Sequence, residues 1–272
     1  MIKTVYIDSI NGVMDLISEQ EYNSGIGRYR SSVFFRGLPN VDFKLTTSLR
    51  RNCKHLSERL EPNILRNFTK YACMTEPTIS QSVWRQMVLG QHHGLPTRLL
   101  DWTRSPLIAL HFAHSETRFE KMDMRDCCVW KFDMKDVNKN LPDKYKKFLE
   151  ANDVYVYSLD QLNSIVNNLS QYDTDMGDKA FVSIEPPSID QRIISQYSFF
   201  SVIPTGIEDI EEYLDKNTDN TVKYIISKDI RWQVRDMLDQ FNINERILYP
   251  DLDGLSKSLA RHYFVKQNGE NK

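Results

Sequence analysis

The chain has 272 residues, enough to bury a sizeable core in one large domain or two small ones. Hydrophobic residues make up 40% and charged residues 26%, which excludes an intrinsically disordered polymer. A formal net charge of −2 excludes bulk attraction to nucleic acid or to an anionic membrane, while a local basic patch is still compatible with it.

No run approaches the roughly 20 apolar residues of a membrane helix, and residues 1–8 are too short and polar a stretch for a signal peptide. Four cysteines (Cys53, Cys73, Cys127 and Cys128) lack the spacing of a disulfide framework. A reducing, cytoplasmic location with no membrane partner is the expectation.

In chain order, residues 5–17 predict a short strand, a turn at Asn11-Gly12 and a helix, and Gly25 and Gly27 mark a loop. Residues 33–37 read as a core strand with one charge. Alternation puts that charge, Arg36, on the face of Phe34. A charge on so apolar a strand requires a partner or a ligand. Residues 43–48 read as a second extended piece. The basic cluster Arg50, Arg51 and Lys54 precedes two helical patterns, about 55–71 and 78–89. Together these form an expected helical insertion near residues 55–90.

Residues 91–113 are the most information-dense stretch. Gln91, His92 and His93 lead into a Gly94-Leu95-Pro96 turn. Residues 98–102 are long enough for one buried strand. A helix then starts sharply, with Ser105 as N-cap and Pro106 at the first helical position. It is apolar nearly all round and so belongs in the core. Arg98, Asp101, Trp102, Thr103, Arg104 and Ser105 surround this strand-to-helix junction, where exposed N–H groups favour an anion or a ligand oxygen. The alternative is that Arg98 and Asp101 pair with each other or with backbone to brace the turn.

Beyond it, residues 128–134 predict a strand, 135–152 a charged helical segment and 159–169 a helix. The acidic, turn-rich stretch 171–179 reads as a mobile surface loop. A strand over 181–184 ends at Pro186-Pro187. Ser188 then opens a short helix on which Ile189, Arg192, Ile193 and Gln196 share a face. Strands over 199–203 and 223–227 and helices over 207–214, 229–240 and from 255 to about 264 complete an α+β chain.

Phosphate-binding Gly-rich loops and a Gly-x-Ser-x-Gly elbow are absent. His111 and His114, three apart, lack a carboxylate or cysteine at ligand spacing, so no metal is expected. The aromatic residues fall in strand-like runs and suit a core better than base stacking. One constellation is left: Arg36, the Arg98-to-Ser105 junction and the Arg192–Gln196 face. If these converge, they form a cleft with at least two guanidinium groups and several hydroxyls, suited to a phosphorylated or nucleotide-like ligand. If they do not, they are an internal salt-bridge network that fixes the fold.

At these residues the sequence resembles the FRG-domain family. The Phe-Arg-Gly motif is Phe35-Arg36-Gly37. The run Gln-His-x-Gly-Leu-Pro-Thr-Arg-Leu-Leu-Asp-Trp-Thr, with its Pro-start helix ending Phe-Ala, spans residues 91–113. An Arg-Ile-x-x-Gln-x-x-x-Phe signature runs from Arg192 to Phe200, and a closing Pro-Asp-Leu-Asp-Gly-Leu occupies residues 250–255. The resemblance implies a single FRG domain over residues 1–272, with core motifs between 33 and 260.

The order of elements is also distantly similar to the ADP-ribosyltransferase fold. There an early strand carries an aromatic-Arg-Gly motif whose arginine holds the NAD phosphates, followed by a strand and a helix laid out like residues 100–103 and 109–113. This similarity implies mixed or antiparallel strands around a central strand-turn-helix, with NAD as a candidate substrate. It implies catalytic places for Arg36, Asp101, Arg192 and Gln196, and ligand-binding places for Gln91, His92, Arg98, Trp102, Thr103 and Ser105. Arg192 stands about where the catalytic Glu of that fold would be, and the nearby carboxylates are Glu185 and Asp190. The implied roles are a toxin or phage-defence effector acting on NAD or a nucleotide, with an unnamed protein or nucleic-acid target. The alternative is a non-catalytic module that senses a nucleotide or a nucleic-acid end.

Overall fold

The computed structural model describes residues 1–116, 118–188 and 191–266. Its strands are β1 (Lys3–Ile7), β2 (Tyr22–Asn23), β3 (Arg28–Tyr29), β4 (Val33–Leu38), β5 (Leu99–Thr103), β6 (Cys127–Asp133), β7 (Tyr157–Ser158), β8 (Val182–Glu185), β9 (Ser198–Val202) and β10 (Val222–Ile226). β2 and β3 form a small hairpin of their own, and the others make one sheet in the order β1-β10-β6-β4-β5-β9-β8-β7. The outer pairs β1–β10 and β7–β8 are parallel and the inner pairs antiparallel, so the sheet is mixed.

The sheet divides in its middle. β4 pairs along its whole length with β6, from Val33–Asp133 to Leu38–Cys128. β5 pairs along its whole length with β9, from Leu99–Val202 to Thr103–Ser198. Between β4 and β5 the register holds at one position, Phe35–Thr103. Past it the strands part, and Arg36 to Leu38 face Trp102 and Asp101 across a notch.

Apolar patterning on these strands makes three cores. On one face of the first half-sheet, Ile7, Val33, Phe35, Val129, Tyr224 and Ile226 pack under the helices Ile10–Ser18, Pro106–Ala113 and Arg231–Gln240. On the other face Phe34, Trp130 and Phe132 pack with Trp102 and Phe199 of the second half-sheet and with Tyr213 and Leu214 of the helix Ile210–Asn217, so this core spans both halves. The second half-sheet buries Leu99, Val182, Phe200 and Val202 against Leu65, Trp84, Tyr145, Leu162 and Tyr172 from five helices. Among the described residues no helix is long and apolar enough to cross a membrane.

Three expectations need correction. The helices Ser57–Ala72 and Val83–His92 supply Leu65, Trp84, Met87 and Val88 to the third core, so the segment 55–90 is integral to it rather than appended. Residues 43–47 form no strand: the Leu45 N–H donates to the Glu211 carboxylate (2.9 Å), and Thr47 caps the helix Ser48–Cys53. Residues 171–179 are mostly helix (Leu169–Met176), closed by Gly177 at φ 55°. The polar run Asp173-Thr174-Asp175 hid Tyr172, whose buried hydroxyl donates to the Val202 carbonyl (2.6 Å) and accepts from the Val182 N–H (3.1 Å). The expected strand-turn-helix is present: Ser105 accepts from the Ile108 N–H, and Pro106 opens the helix. Cys127 and Cys128 are packed in β6, where burial pushes both thiols up to about 12.

Gly37 sets how closely the central helix approaches β4. A Cβ there would lie 1.8 Å from the Ala109 carbonyl oxygen and 2.5 Å from the Ala113 nitrogen, both backbone atoms that cannot rotate away. The glycine of Phe-Arg-Gly and the alanines of the Pro-start helix are thus two sides of one contact. Gly37→Ala is expected to destabilise the chain by about 3 kcal/mol or to prevent folding. A urea midpoint matching that of the wild type would contradict the contact.

Candidate functional site

The notch is a cavity of about 310 Å³ whose lining includes residues 35–39 of β4 and its exit, residues 101–103 of β5, Phe112 and Ser115 beside the central helix, and Arg192, Gln196, Ser198 and Tyr249. Three of the four sequence motifs meet there directly.

Arg36 reaches across the gap. Its Nη1 donates to the backbone carbonyl of Asp101 (2.7 Å) and approaches the carboxylate of the same residue (3.4 Å). The guanidinium therefore contacts a carbonyl on β5 beyond the single backbone pairing between the strands. Its Nε is buried with no hydrogen-bond partner. Burial draws the Arg36 pKa down and Asp101 draws it back up, and arginine stays charged throughout.

Asp101 is held from behind. The Gln91 side-chain amide donates to both carboxylate oxygens (3.0 Å each), and its oxygen accepts from the Thr97 hydroxyl (2.6 Å). Thr97 Oγ1 also accepts the Leu99 N–H (3.1 Å) at the start of β5. With these bonds made, the Asp101 side chain is still 49% exposed, against 21% for Arg36. Gln91 fixes the carboxylate without lining the cavity.

The third motif arrives on the helix Gln191–Gln196, and Ile189 and Asp190 lie outside the described residues. The Arg192 guanidinium lies 4.8 Å from the Tyr249 ring centre, and Gln196 donates to the Leu248 carbonyl (3.1 Å). Burial raises the Tyr249 phenol, and Arg192 counters part of that. Sequence reasoning missed Tyr249, although it directly precedes the closing motif. A Cβ on Gly254 would stand 1.9 Å from the Tyr249 carbonyl oxygen, so that motif brings the helix Leu252–His262 against the Tyr249 backbone. Asp251 caps the helix through the Gly254 N–H (2.7 Å).

Trp102 and Thr103 line the cavity as expected. The Trp102 ring meets Phe132 edge-on at 4.4 Å, and Thr103 Oγ1 accepts the Ser105 N–H (3.1 Å). Three other expected ligand residues stand elsewhere. Ser105 is the helix cap, and the His92 ring packs edge-on against His93 (5.1 Å). Arg98 is buried away from the notch, donating through Nε to Glu61 (2.8 and 3.0 Å) and through Nη1 to Asp173 (2.6 Å). Burial alone would lower its pKa, but the two carboxylates raise it. Arg98 is therefore the internal brace, and Asp101 pairs with Arg36 instead.

Behind Tyr249 lies a second buried polar cluster. The Arg235 guanidinium donates to His111 Nδ1 (2.8 Å), and Arg261 grips Glu245 (2.8 to 3.1 Å) and Asp239 (2.6 and 2.8 Å). Burial works to raise Glu245, and Arg261 overcomes it and holds the carboxyl down at about 2. The His-x-x-His pair is structural. Burial and Arg235 push His111 down to about 3, and burial pushes His114 to about 3 while its Nδ1 rests on the Leu110 carbonyl (2.7 Å).

Arg98→Met would strand Glu61 and Asp173 in the interior. A loss of about 3–5 kcal/mol in chemical denaturation is expected, and a loss below 1 kcal/mol would remove the brace. The histidines set an acid limit. Folded, they stay neutral down to about pH 3; unfolded, they protonate near 6.5. The unfolded chain holds more protons between those values, so stability falls as pH drops below about 6.5. Between pH 7 and pH 5 the loss is on the order of 2 kcal/mol per histidine. In a urea series His111→Gln should remove about half of that dependence, and a flat pH profile would refute it.

A family model described as the FRG domain matches residues 31–122. That span holds the Phe-Arg-Gly motif and the whole of residues 91–113, whereas the motifs at 192–200 and 250–255 lie beyond it. Comparison with curated proteins and with solved structures gave no match. The segment that carries β4 and β5, residues 31–122, is an FRG domain.

Proposed function

We propose that the notch binds an anionic, nucleotide-like ligand, with NAD as a candidate substrate, and that residues 1–272 act as one FRG domain. The observation that carries this reading is Arg36: a cation in a cavity wall, fixed at Nη1 by Asp101, with a buried Nε that takes no protein acceptor. Such a guanidinium suits a phosphate oxygen. The layout resemblance to ADP-ribosyltransferases supports the same assignment, since Arg36 holds the place of their phosphate-binding arginine.

In this reading Arg36 binds the anion, Asp101 serves as the polarising carboxylate, and Arg192 and Gln196 close the far wall with Tyr249. Trp102 and Thr103 shape the pocket, and Gln91 orients Asp101. Among the described residues lining the cavity, Asp101 is the one carboxylate, so acid–base or ribose-polarising chemistry falls to it. The cellular role that goes with this chemistry is a toxin or phage-defence effector acting in the cytoplasm on a macromolecular target.

A second reading is a binding module that senses a nucleotide or a nucleic-acid end without turnover. The observation in its favour is that the third motif offers the cavity a cation, Arg192, laid over Tyr249, where a transferase would place its glutamate. Thermal unfolding of wild type and Arg36→Ala with NAD, ADP-ribose, ATP and a short RNA tests both. A ligand at about a hundred times its Kd should stabilise the wild type by about 2.7 kcal/mol and leave the variant unmoved. Equal stabilisation of both proteins would place the ligand elsewhere. Release of nicotinamide or product from the stabilising ligand then separates catalysis from sensing.

A further inference from the structure

We infer that the ligand is a single phosphorylated ribonucleoside, of mononucleotide rather than dinucleotide size, with its phosphate on the free edge of Arg36 and its ribose diol on Asp101. This rests on the nucleotide reading above and narrows it.

Size is the first argument. A cavity of about 310 Å³ stands at the bottom of the roughly 300–1,000 Å³ range of small-molecule sites. It holds one base, sugar and phosphate, whereas a dinucleotide doubles each of these. Of the lining aromatics, Phe35 and Trp102 are buried in the cores, and the half-buried Phe112 and Tyr249 offer apolar surface to one planar base.

The polar groups set the orientation. Arg36 spends Nη1 on Asp101, and no acceptor among the described residues meets its Nε or Nη2. The Nε of that edge is enclosed by protein, which leaves Nη2 as the donor for a phosphate oxygen. Asp101 offers the complementary half. An ionised carboxylate only accepts hydrogen bonds, and its two oxygens together have about four lone-pair sites. Gln91 supplies one bond to each oxygen, so capacity remains on the half-exposed side. A second anionic group there would meet repulsion, whereas a pair of hydroxyl donors meets two acceptors. A ligand with an anion at one end and vicinal hydroxyls beside it satisfies both groups, and ribose 5′-phosphate is the common fragment with that layout.

Calorimetric titration of the full chain with AMP, nicotinamide mononucleotide, 2′,3′-dideoxy-AMP, NAD and ADP-ribose tests this. The expected result is that one mononucleotide binds within about threefold of the dinucleotide that contains it, and that removing the diol weakens binding by about tenfold or more, as for loss of a hydrogen bond to a charged group. In Asp101→Asn the ribo and dideoxy forms should bind alike, because the group that tells them apart is changed. The dideoxy comparison on wild type does not depend on how that variant folds. NAD or ADP-ribose binding more than about tenfold tighter than either half overturns the size argument and leaves the nucleotide reading standing. Equal binding of AMP and its dideoxy form overturns the role of Asp101. Failure of every nucleotide to bind removes this inference together with the reading beneath it.

Discussion

Arg36 spans the gap between two half-sheets that share a single pair of residues, and its guanidinium bridges β4 and β5 where their backbones no longer meet. The rest of the site follows from that span. Because β4 and β5 part after Phe35 and Thr103, there is a notch to bind something in. The same side chain that bridges the notch lines its wall. Gly37 lets the central helix lie directly on β4, which brings Phe112 and Ser115 to the rim. Gln91 and Thr97 hold the other anchor of the span, the Asp101 carboxylate, from the strand's buried side. Position and charge at the notch are thus decided by a few bonds between segments about 65 residues apart in the chain.

The molecule contains arginines buried more deeply than Arg36, and comparing them clarifies what sets it apart. Arg98 and Arg261 each face two carboxylates. Arg231 donates through both terminal nitrogens to the backbone carbonyls of Arg125 and Ala113, the latter at the end of the central helix, where a cation is favoured, and its Nε is buried without a partner. Arg98 and Arg261 have all three guanidinium nitrogens consumed by structure, and Arg231 has two of its three. Arg36 makes contact with one residue of β5 through one nitrogen. Burial with unspent donors is costly, and among these arginines Arg36 is the one that lines the cavity.

Much of this was legible in the sequence because single residue types carried it. Pro106 and Ser105 marked the helix start, alternation set Arg36 in a core strand, and the polar insertions at 36, 101 and 192–196 did converge. What the sequence obscured was partnership. Arg98 and Asp101 sit three apart and read as a pair, yet alternation in β5 sends them to opposite faces, and Arg98 finds Glu61 and Asp173 instead. The acidic run around Asp173 looked solvent-exposed because the cation that it serves lies 75 residues away. Tyr249 stood out by no periodicity or charge, and only the glycine five residues later hints that something must fit closely there. Contacts set by distant segments leave such indirect marks or none.

The brace at Arg98 has a consequence for how the molecule moves. Glu61, Arg98 and Asp173 come from the helix Ser57–Ala72, the residue just before β5 and the helix Leu169–Met176. Peeling either helix away would leave an unmatched charge against an apolar core, so neither helix has an inexpensive way to open alone. The second half-sheet and its helical cover therefore belong to one cooperative unit. The wall of the notch that carries Asp101 is attached to that unit, and the wall that carries Arg36 belongs to the other half-sheet. The cleft is thus a parting of backbones past the Phe35–Thr103 pairing, closed on one face by Phe34, Phe132, Trp102 and Phe199, which pack across the two half-sheets.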